Sequence, residues 1–519
     1  MRCMNIFAKL DPVRPRGSAV AALATALPLA LLASVPASAS AHATRPAATP
    51  ARYSVTDLGA LRATDTSVAT AINNAGVVVG YSTSASGVPT AVRWSGGTVV
   101  SLGTLPGGSD SVANAINDSG QIAGTADRPP TGYGYPVRWS AAGVIQDLSG
   151  PVDNRLGVGN GIDPAGRVAG GQRPADSEGG PNAILYSASG TPTDLGNPPD
   201  SLGPANAVNA VGQVVGGGPA FVWRNGTTTL LPGLPGGTGG VATAINISGQ
   251  IVGSATAGGS SNERAVLWTA GTATDLGTVD GITPNRATGI NAAGQIVGTA
   301  DPQCSPCAAP RAWIRQPGGT ATALDTLLPA GSGWTLRQAD GINDRGQIVG
   351  AGLHNGVLHA FVLTPAFHAG VNFQSAGAPV PVGYSADTGQ AYGTRGSGLT
   401  YGWNIDNTAN GRDRNSTTSP DQRYDTLVHM ERAGSATVWE LAVPNGSYLV
   451  HLVAGDSDNT DSVYRINAEG VTVLSGTPSA ATHWFQGTAQ VTVTDGRLTL
   501  TNAAGSANNK VDWIDVTSL

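Results

Sequence analysis

Small, aliphatic and polar positions recur in one fixed order seven times along the chain. Each copy runs small residue, aliphatic residue, Asn or Asp, any two residues, Gly, any residue, Val or Ile, any residue and Gly. The copies begin at Ala71, Ala115, Gly161, Ala207, Ala244, Gly289 and Gly341. Their spacing, between 37 and 52 residues, is typical of repeat architectures in which each unit packs on its neighbours.

Each copy predicts a β-hairpin. An apolar strand leads into Asn-x-x-Gly, where the Gly is free to adopt a positive φ, and a second alternating strand follows. A third strand comes next, as in Ala91–Trp94, and a fourth ends in a Leu-Gly-like turn, as in Ser101–Gly103. Four strands in about 45 residues correspond to one blade of a β-propeller.

The two ends of the repeat region complement each other. The seventh copy stops at Phe361–Pro365 without a fourth strand, whereas a spare fourth strand, Tyr53–Gly59, precedes the first copy. The N-terminal strand would therefore complete the last blade and close the ring. We predict a seven-bladed β-propeller over residues 52–365. An open β-solenoid is the alternative, but it gives no reason for complementary ends.

The repeats resemble the HAF repeats of secreted bacterial proteins, in which His-Ala-Phe precedes a Leu-Gly-rich strand. The literal tripeptide is present as His359-Ala360-Phe361, and the other six copies replace the His. The resemblance implies repeat architecture and secretion, and it brings no reaction with it.

The composition changes after Pro365, and residues 366–519 contain no copy of the repeat. Short alternating strands separated by tight turns continue to the end, for example Tyr448–Ala454 and Val511–Val516. This pattern predicts a β-sandwich or jelly roll, so the whole chain belongs to the all-β class.

The C-terminal segment resembles malectin-like and galactose-binding-like carbohydrate-binding modules. The resemblance rests on Val371–Gln374, the Pro-Asn-Gly-Ser-Tyr entry at 444–448, the stretch 461–470 and the closing stretch 508–516. It implies a carbohydrate partner for this segment.

Sugar recognition combines an aromatic face with side chains that bond hydroxyl groups. The predicted ligand-binding residues are Arg395, Tyr401, Trp403, Asn404, Trp484 and Asn509. Trp439 and Trp513 lie within strands and are predicted to be core residues.

Carboxylates precede five of the seven repeats, in loops predicted to converge near the propeller channel. These residues are Asp65, Asp110, Asp153, Asp200 and Asp280. They would bind Ca²⁺ or supply an acid–base pair, or they are there because Asp favours turns. The run Asp456–Asp461 is a second place where Ca²⁺ would fit. The sequence assigns no catalytic residue, no other cofactor and no further metal site.

The N-terminus predicts a secretory signal over residues 1–43: basic residues, an apolar run at 19–35 and small-residue cleavage sites. A membrane anchor is the alternative, but the run is short and contains Pro28. In an oxidising compartment, Cys304 and Cys307 are predicted to form a disulfide. Lys510 is the one Lys after the signal and the net charge is −6, which disfavours a nucleic-acid partner.

The leading functional hypothesis is a secreted, extracellular, non-catalytic binding protein. The C-terminal sandwich would bind carbohydrate and the propeller would be an interaction scaffold. One alternative is an extracellular polysaccharide hydrolase or lyase with its active site on the channel face of the propeller. The other is a surface adhesion protein with a protein partner.

Overall fold

The computed structural model describes residues 53–129, 134–150, 155–174, 181–196, 203–237, 239–258, 263–302, 309–432 and 435–519. The predicted signal, Asp153, Asp200, Cys304 and Cys307 lie outside these ranges. The described residues belong to one compact unit, Pro50–Leu519. None of the described residues forms a helix long and apolar enough to cross a membrane.

Residues 53–365 form seven antiparallel four-stranded sheets. The strand β1 (Tyr53–Asp57) precedes the first repeat. The strands of the first four repeats are β2 (Thr66–Ile72), β3 (Val78–Thr83), β4 (Pro89–Ser95), β5 (Thr98–Ser101), β6 (Ser111–Ile116), β7 (Ile122–Asp127), β8 (Gly134–Trp139), β9 (Ile145–Asp147), β10 (Arg155–Ile162), β11 (Val168–Pro174), β12 (Asn182–Tyr186), β13 (Pro192–Asp194), β14 (Ala205–Val208), β15 (Val214–Gly216), β16 (Phe221–Arg224) and β17 (Thr227–Leu230). The remaining repeats contain β18 (Gly240–Ile245), β19 (Ile251–Thr256), β20 (Glu263–Thr269), β21 (Thr272–Asp275), β22 (Asn285–Ile290), β23 (Ile296–Ala300), β24 (Arg311–Arg315), β25 (Ala321–Ala323), β26 (Trp334–Ile342), β27 (Ile348–His354) and β28 (Val357–Pro365), with a 3₁₀ turn at Leu324–Leu327.

The ring closes as the sequence predicts. The strand β1 pairs antiparallel with β28, from Tyr53 opposite Pro365 to Asp57 opposite Phe361, and so completes the last sheet. The first strand of each sheet contacts the first strand of the next, and β26 contacts β2. The predicted seven-bladed β-propeller is confirmed, with these first strands innermost around the channel.

A β-bulge explains the last Gly of the repeat motif. In every sheet the first strand shifts register by one residue against the second, for example between Ala69 and Ala71. The shift brings a first-strand carbonyl against that Gly: a Cβ on Gly80 would collide with the carbonyl of Val68. The Gly of the hairpin turn has a separate reason, because its φ is positive, +81° at Gly76.

The C-terminal part is a β-sandwich. Its elements are β29 (His368–Phe373), β30 (Ser385–Asp387), β31 (Gly393–Thr394), β32 (Thr400–Trp403), a 3₁₀ turn (Thr408–Asn410), β33 (Gly411–Asp413), α1 (Gln422–Asp425), β34 (Thr426–His429), β35 (Glu431–Arg432), β36 (Ser435–Ala436), β37 (Trp439–Ala442), β38 (Gly446–Gly455), β39 (Tyr464–Ala468), β40 (Val471–Gly476), β41 (Trp484–Val493), β42 (Arg497–Asn502), β43 (Lys510–Val511) and β44 (Trp513–Ser518). The two main sheets have the orders β30-β29-β44-β38-β41 and β31-β32-β37-β42-β39-β40. The core lies between them and includes Phe373, Trp403, Trp439 and Ile514.

Candidate functional site

A ring of asparagines joins the seven hairpin turns at one end of the channel. The ring residues are Asn73, Asn117, Asp163, Asn209, Asn246, Asn291 and Asn343. Each Asn donates its Nδ2 hydrogen to the backbone carbonyl of the next member, at 2.9–3.1 Å, and Asn343 closes the circle on Asn73. Asp163 has no amide to donate and pairs with Arg167 instead. The motif Asn therefore joins neighbouring blades as well as making its own turn.

A second ring lies at the bulge position of the innermost strands, which we call the bulge ring. Its members are Thr70, Asn114, Asn160, Asn206, Thr243, Thr288 and Asp340. The first six donate a side-chain hydrogen bond of 2.6–3.0 Å to a carbonyl of the next blade. Six blades thus carry a hydrogen-bond donor at this position.

Asp340 is the exception in the bulge ring, since an ionised carboxylate has no proton to donate. Its Oδ2 accepts a hydrogen bond from Nε2 of Gln338 at 2.7 Å, and its side chain is partly exposed. Burial raises the pKa of Asp340 to about 6, against the opposing effects of Gln338 and Arg286. Burial, and then the charge of Asp340, raises the pKa of Tyr81 to about 12. Asp340 therefore shares an electrostatic neighbourhood with Arg286 and Tyr81.

Such a carboxylate has two chemical uses. When ionised, it accepts hydrogen bonds from hydroxyl groups, while Arg286 supplies donors. With a pKa of about 6 it is also suited to accept or release a proton near neutral pH. Sequence reasoning missed Asp340, although aligning the seven copies shows Thr or Asn before the motif in six and Asp in one.

The sandwich covers the hairpin-turn end of the channel with the outer face of its five-stranded sheet. Nε2 of Gln486 donates to Oγ of Ser248 at 2.6 Å, and Oγ1 of Thr488 donates to the carbonyl of Ala293 at 3.3 Å. The side chain of Arg423, from α1, reaches the channel end. There it helps to line a cavity of about 230 Å³ together with ring asparagines and the isoleucines beside them.

Arg423 is held by charges from both parts of the molecule. It pairs with Asp421 of the sandwich at 2.8 Å and with Asp344 of the propeller at 3.3 Å. Although burial favours the neutral acid, Arg423 and the amides of Ala292 and Asn74 hold the pKa of Asp344 below its usual range. The exposed carboxylate of Asp118 accepts two hydrogen bonds from Asn74, one from its backbone amide and one from its side chain.

Three of the predicted sugar-binding residues are buried, which corrects the expectation for them. Tyr401 and Trp403 are 1 % and 0 % exposed, and Asn509 is 0 % exposed. Trp403 donates its indole hydrogen to Asp387 at 2.8 Å, so a polar partner satisfies it inside the core. Asn509 bonds the backbone of Arg465 through both its Oδ1 and Nδ2. Their rings and amide are therefore unavailable to an external sugar.

The other three predicted residues occupy dissimilar surroundings. Arg395 lies over the ring of Tyr401 at 5.2 Å and donates to the carbonyl of Ala391. Asn404 is exposed, and its Oδ1 accepts from the amide of Val438. Trp484 is partly buried, bonds the carbonyl of Tyr424 and packs in an aromatic cluster that also contacts Ala292 of the propeller.

The described members of the predicted aspartate ring do not form a cluster. Asp65 is buried in a turn, its amide bonded to the carbonyl of Arg62. The amide of Asp110 donates to the carboxylate of Asp127. Asp280 has a φ of +51° and pairs with Arg311 at 2.8 Å. These contacts are those of turn and strand-end residues.

The predicted Ca²⁺ run is occupied by basic side chains. Asp456 pairs with Arg414 at 2.6 Å and with Lys510 at 2.7 Å, and Asp461 pairs with Lys510 at 3.2 Å. Within the described ranges, the group of three His, Cys, Asp or Glu side chains with ligand atoms gathered within 4.8 Å is Asp57, His354 and His359. Sequence reasoning assigned these His residues no role in binding.

No family model and no curated protein matches the sequence. Among solved structures, streptogramin B lyase is 11 % identical, with 60 % of this chain and 98 % of that chain covered and a TM-score of 0.41. TolB from Acinetobacter baumannii is 12 % identical over 59 % of this chain and 64 % of that chain, with a TM-score of 0.32. A Bacillus subtilis protein is 24 % identical over 30 % of this chain and 40 % of that chain, with a TM-score of 0.22. The chain thus spans less than half the length of the Bacillus subtilis protein and just under two thirds of TolB.

Proposed function

We propose that this protein is a secreted, extracellular binding protein that holds a hydroxyl-rich ligand, a glycan, in the channel of its propeller. The observation that carries the proposal is Asp340, the one carboxylate in a ring of Thr and Asn donors. An Asn at this position would join the neighbouring blade as it does in three other repeats. A residue type that cannot make this stabilising hydrogen bond is a candidate for a role in ligand binding.

The surroundings of Asp340 suit a sugar. Hydroxyl groups are recognised by fixed carboxylate, guanidinium and amide groups, and Asp340, Arg286 and Gln338 supply one of each. All three lie on innermost strands, β22 and β26. Because Tyr401 and Trp403 lie in the sandwich core, the proposed glycan site is in the propeller, and the sandwich contacts the hairpin-turn end of the channel.

A second candidate is a polysaccharide hydrolase or lyase, and the pKa of about 6 at Asp340 favours it. One carboxylate and a neighbouring phenol are enough for proton transfer. Glycoside hydrolysis by the usual route needs a second carboxylate about 5–10 Å away. The described members of the predicted aspartate ring have turn and ion-pair roles, so a one-base lyase fits better than a hydrolase.

The test is a glycan array probed with the full chain and with the Asp340→Asn variant. We expect saturable binding to one glycan class, weakened about tenfold to a hundredfold in the variant, because a charged hydrogen bond is lost. Asn160→Asp is the matched control, since it places a carboxylate in the same ring on another blade. It should keep the affinity of the unchanged chain.

Two results would sink the proposal: no glycan bound by the folded chain, or equal affinity for the unchanged chain and Asp340→Asn. Mass spectrometry of the recovered glycan separates the two candidates. A binding protein returns the glycan intact, whereas an enzyme returns shortened products that are missing from the Asp340→Asn reaction.

A further inference from the structure

Three side chains from three strands of the last blade meet at one point. Asp57 ends β1, His354 ends β27 and His359 lies near the start of β28. Nδ1 of His354 lies 2.7 Å from Oδ2 of Asp57, and Nδ1 of His359 lies 2.8 Å from the same oxygen. We propose that Asp57, His354 and His359 form a binding site for a first-row divalent cation, with Zn²⁺ as the probe, that fastens the N-terminal strand to the closing blade.

The ligand set suits such a cation. Two imidazoles and one carboxylate, with further positions left for water, form a recurrent site for Zn²⁺ and for Fe²⁺. Ligand atoms around tetrahedral zinc stand about 3.3 Å apart, given bonds of about 2.0–2.1 Å. The present separations of 2.7 and 2.8 Å therefore need to widen by about half an ångström. Small rotations of the two rings provide this.

The carboxylate is already oriented as a one-oxygen ligand. Oδ1 of Asp57 accepts a hydrogen bond from the amide of Gly59 at 2.8 Å, which leaves Oδ2 directed at the two imidazoles. Contacts of this kind around the ligands set their orientation and strengthen metal binding. The side chains are between 21 % and 30 % exposed, so an ion and its water can enter from solvent.

One imidazole is supported by an aromatic stack. The ring of His354 lies parallel to that of Trp334, with centroids 4.6 Å apart and planes 3° apart. Trp334 in turn packs edge-on against Phe361. Trp334 begins the strand β26, which lies at the end of the longest spacing between two repeats. The other six blades lack this longer spacing. The stack fixes the plane in which Nδ1 of His354 points.

Two other blades contain an Asp in the turn equivalent to that of Asp57, and there it has a structural role alone. Asp194 and Asp275 occupy the same Asp-Leu-Gly turn and also accept from the amide two residues on. Asn182 bonds Asp194 at 3.1 Å, and Arg264 bonds Asp275 at 2.9 Å. The partners Asn182 and Arg264 occupy the position that His359 has in the last blade, immediately before the Ala of the third strand. One side-chain partner is enough to hold each of these carboxylates, whereas two imidazoles contact the same oxygen of Asp57 in the last blade.

The experiment titrates the tag-free full chain with zinc sulfate against a chromophoric chelator. We expect one tight site per chain, weakened about tenfold or more in each of Asp57→Asn, His354→Gln and His359→Gln. Asp57→Asn keeps the shape of the side chain and an acceptor for Gly59, so it should fold. The unchanged chain should show a higher thermal unfolding midpoint with zinc, and Asp57→Asn should not, since zinc would bind the folded state alone.

Three controls separate this site from other zinc ligands in the chain. Asp194→Asn alters the equivalent turn, His483→Gln removes a partly exposed imidazole elsewhere, and a double change of Cys304 and Cys307 to Ser removes the thiols. All three should keep the tight site. The inference is overturned if the unchanged chain binds no zinc stoichiometrically, or if the three ligand variants bind it as tightly as the unchanged chain does.

Discussion

Asp340 shows how one residue type changes the role of a repeated position. In six blades the bulge residue donates to the next blade, whereas Asp340 accepts from Gln338 and keeps a carboxylate beside the channel. Its pKa is raised from 3.8 to about 6, so the folded chain binds a proton more tightly there than the unfolded chain does. Ionisation of Asp340 therefore opposes folding.

The sign of this linkage gives the first prediction. The contribution of Asp340 is most favourable below about pH 4 and is lost as the pH rises to about 6. Asp340→Asn should raise the free energy of unfolding at pH 7 by about 1–3 kcal/mol, because it removes a partly buried charge and supplies an amide donor to the next blade. Urea unfolding between about pH 4 and pH 7 measures this.

The same series contains its own check. The difference between Asp340→Asn and the unchanged chain should shrink towards about pH 4, where Asp340 is protonated. Asp194→Asn, at an exposed strand end, should follow the unchanged chain at every pH. A variant that is less stable at neutral pH would contradict the role assigned to Asp340.

Residue-scale sequence reasoning failed where a polar partner lies inside the core. Tyr401 and Trp403 sit beside polar residues in the sequence, which suggested a surface site. In the structure Asp387 accepts the indole hydrogens of both Trp403 and Trp439, at 2.8 Å each, so these rings are satisfied while buried. Their partner lies 16 and 52 residues away, and no local pattern reveals it.

Ring closure depends on one strand, β1. It covers the open edge of β28, and Tyr53 and Val55 pack into the core of the last blade. A free edge would leave unpaired backbone groups on β28 and split the ring between the first and last blades. The complementary ends of the repeat region were sufficient to predict this pairing.

The second prediction belongs to this element. Val55→Asp should lower the free energy of unfolding by about 2–4 kcal/mol, since it places a charge where an aliphatic side chain packs. Ser54→Asp changes the neighbouring, exposed position of the same strand and should alter it by no more than about 0.5 kcal/mol. Chemical denaturation of the two variants gives the comparison. Equal effects would mean that β1 contributes little to closure.

At the scale of the whole molecule, the partly buried cation of Arg423 fixes the sandwich to the propeller. Arg423 pairs with Asp344 and stacks over Trp513 at 4.9 Å, while Gln486 and Thr488 bond two neighbouring hairpin turns. The outer face of the five-stranded sheet is therefore used for docking.

The third prediction tests that docking. Arg423→Ala should lower the free energy of unfolding at pH 7 by about 2–4 kcal/mol, because it leaves the partly buried Asp344 without its cation. The pKa of Asp344, held low by Arg423, should then rise, so the loss should become smaller as the pH falls and this acid becomes protonated in the variant. Arg497→Ala, which removes an exposed arginine paired with Glu440, should leave unfolding nearly unchanged. A pH-independent loss for Arg423→Ala would argue against the ion pair as the cause.

The sequence by itself determined the class of fold, the number of blades, the hairpin turns and the strand that closes the ring. These follow from local periodicity and turn chemistry, repeated often enough to be counted. Only the tertiary structure decided which side chains meet. Asp57 reaches His354 and His359 across 297 and 302 residues, and Arg423 reaches Asp344 across 79. Such contacts depend on how the side chains of distant strands and modules pack against one another, which a pattern of residue types along the chain does not specify.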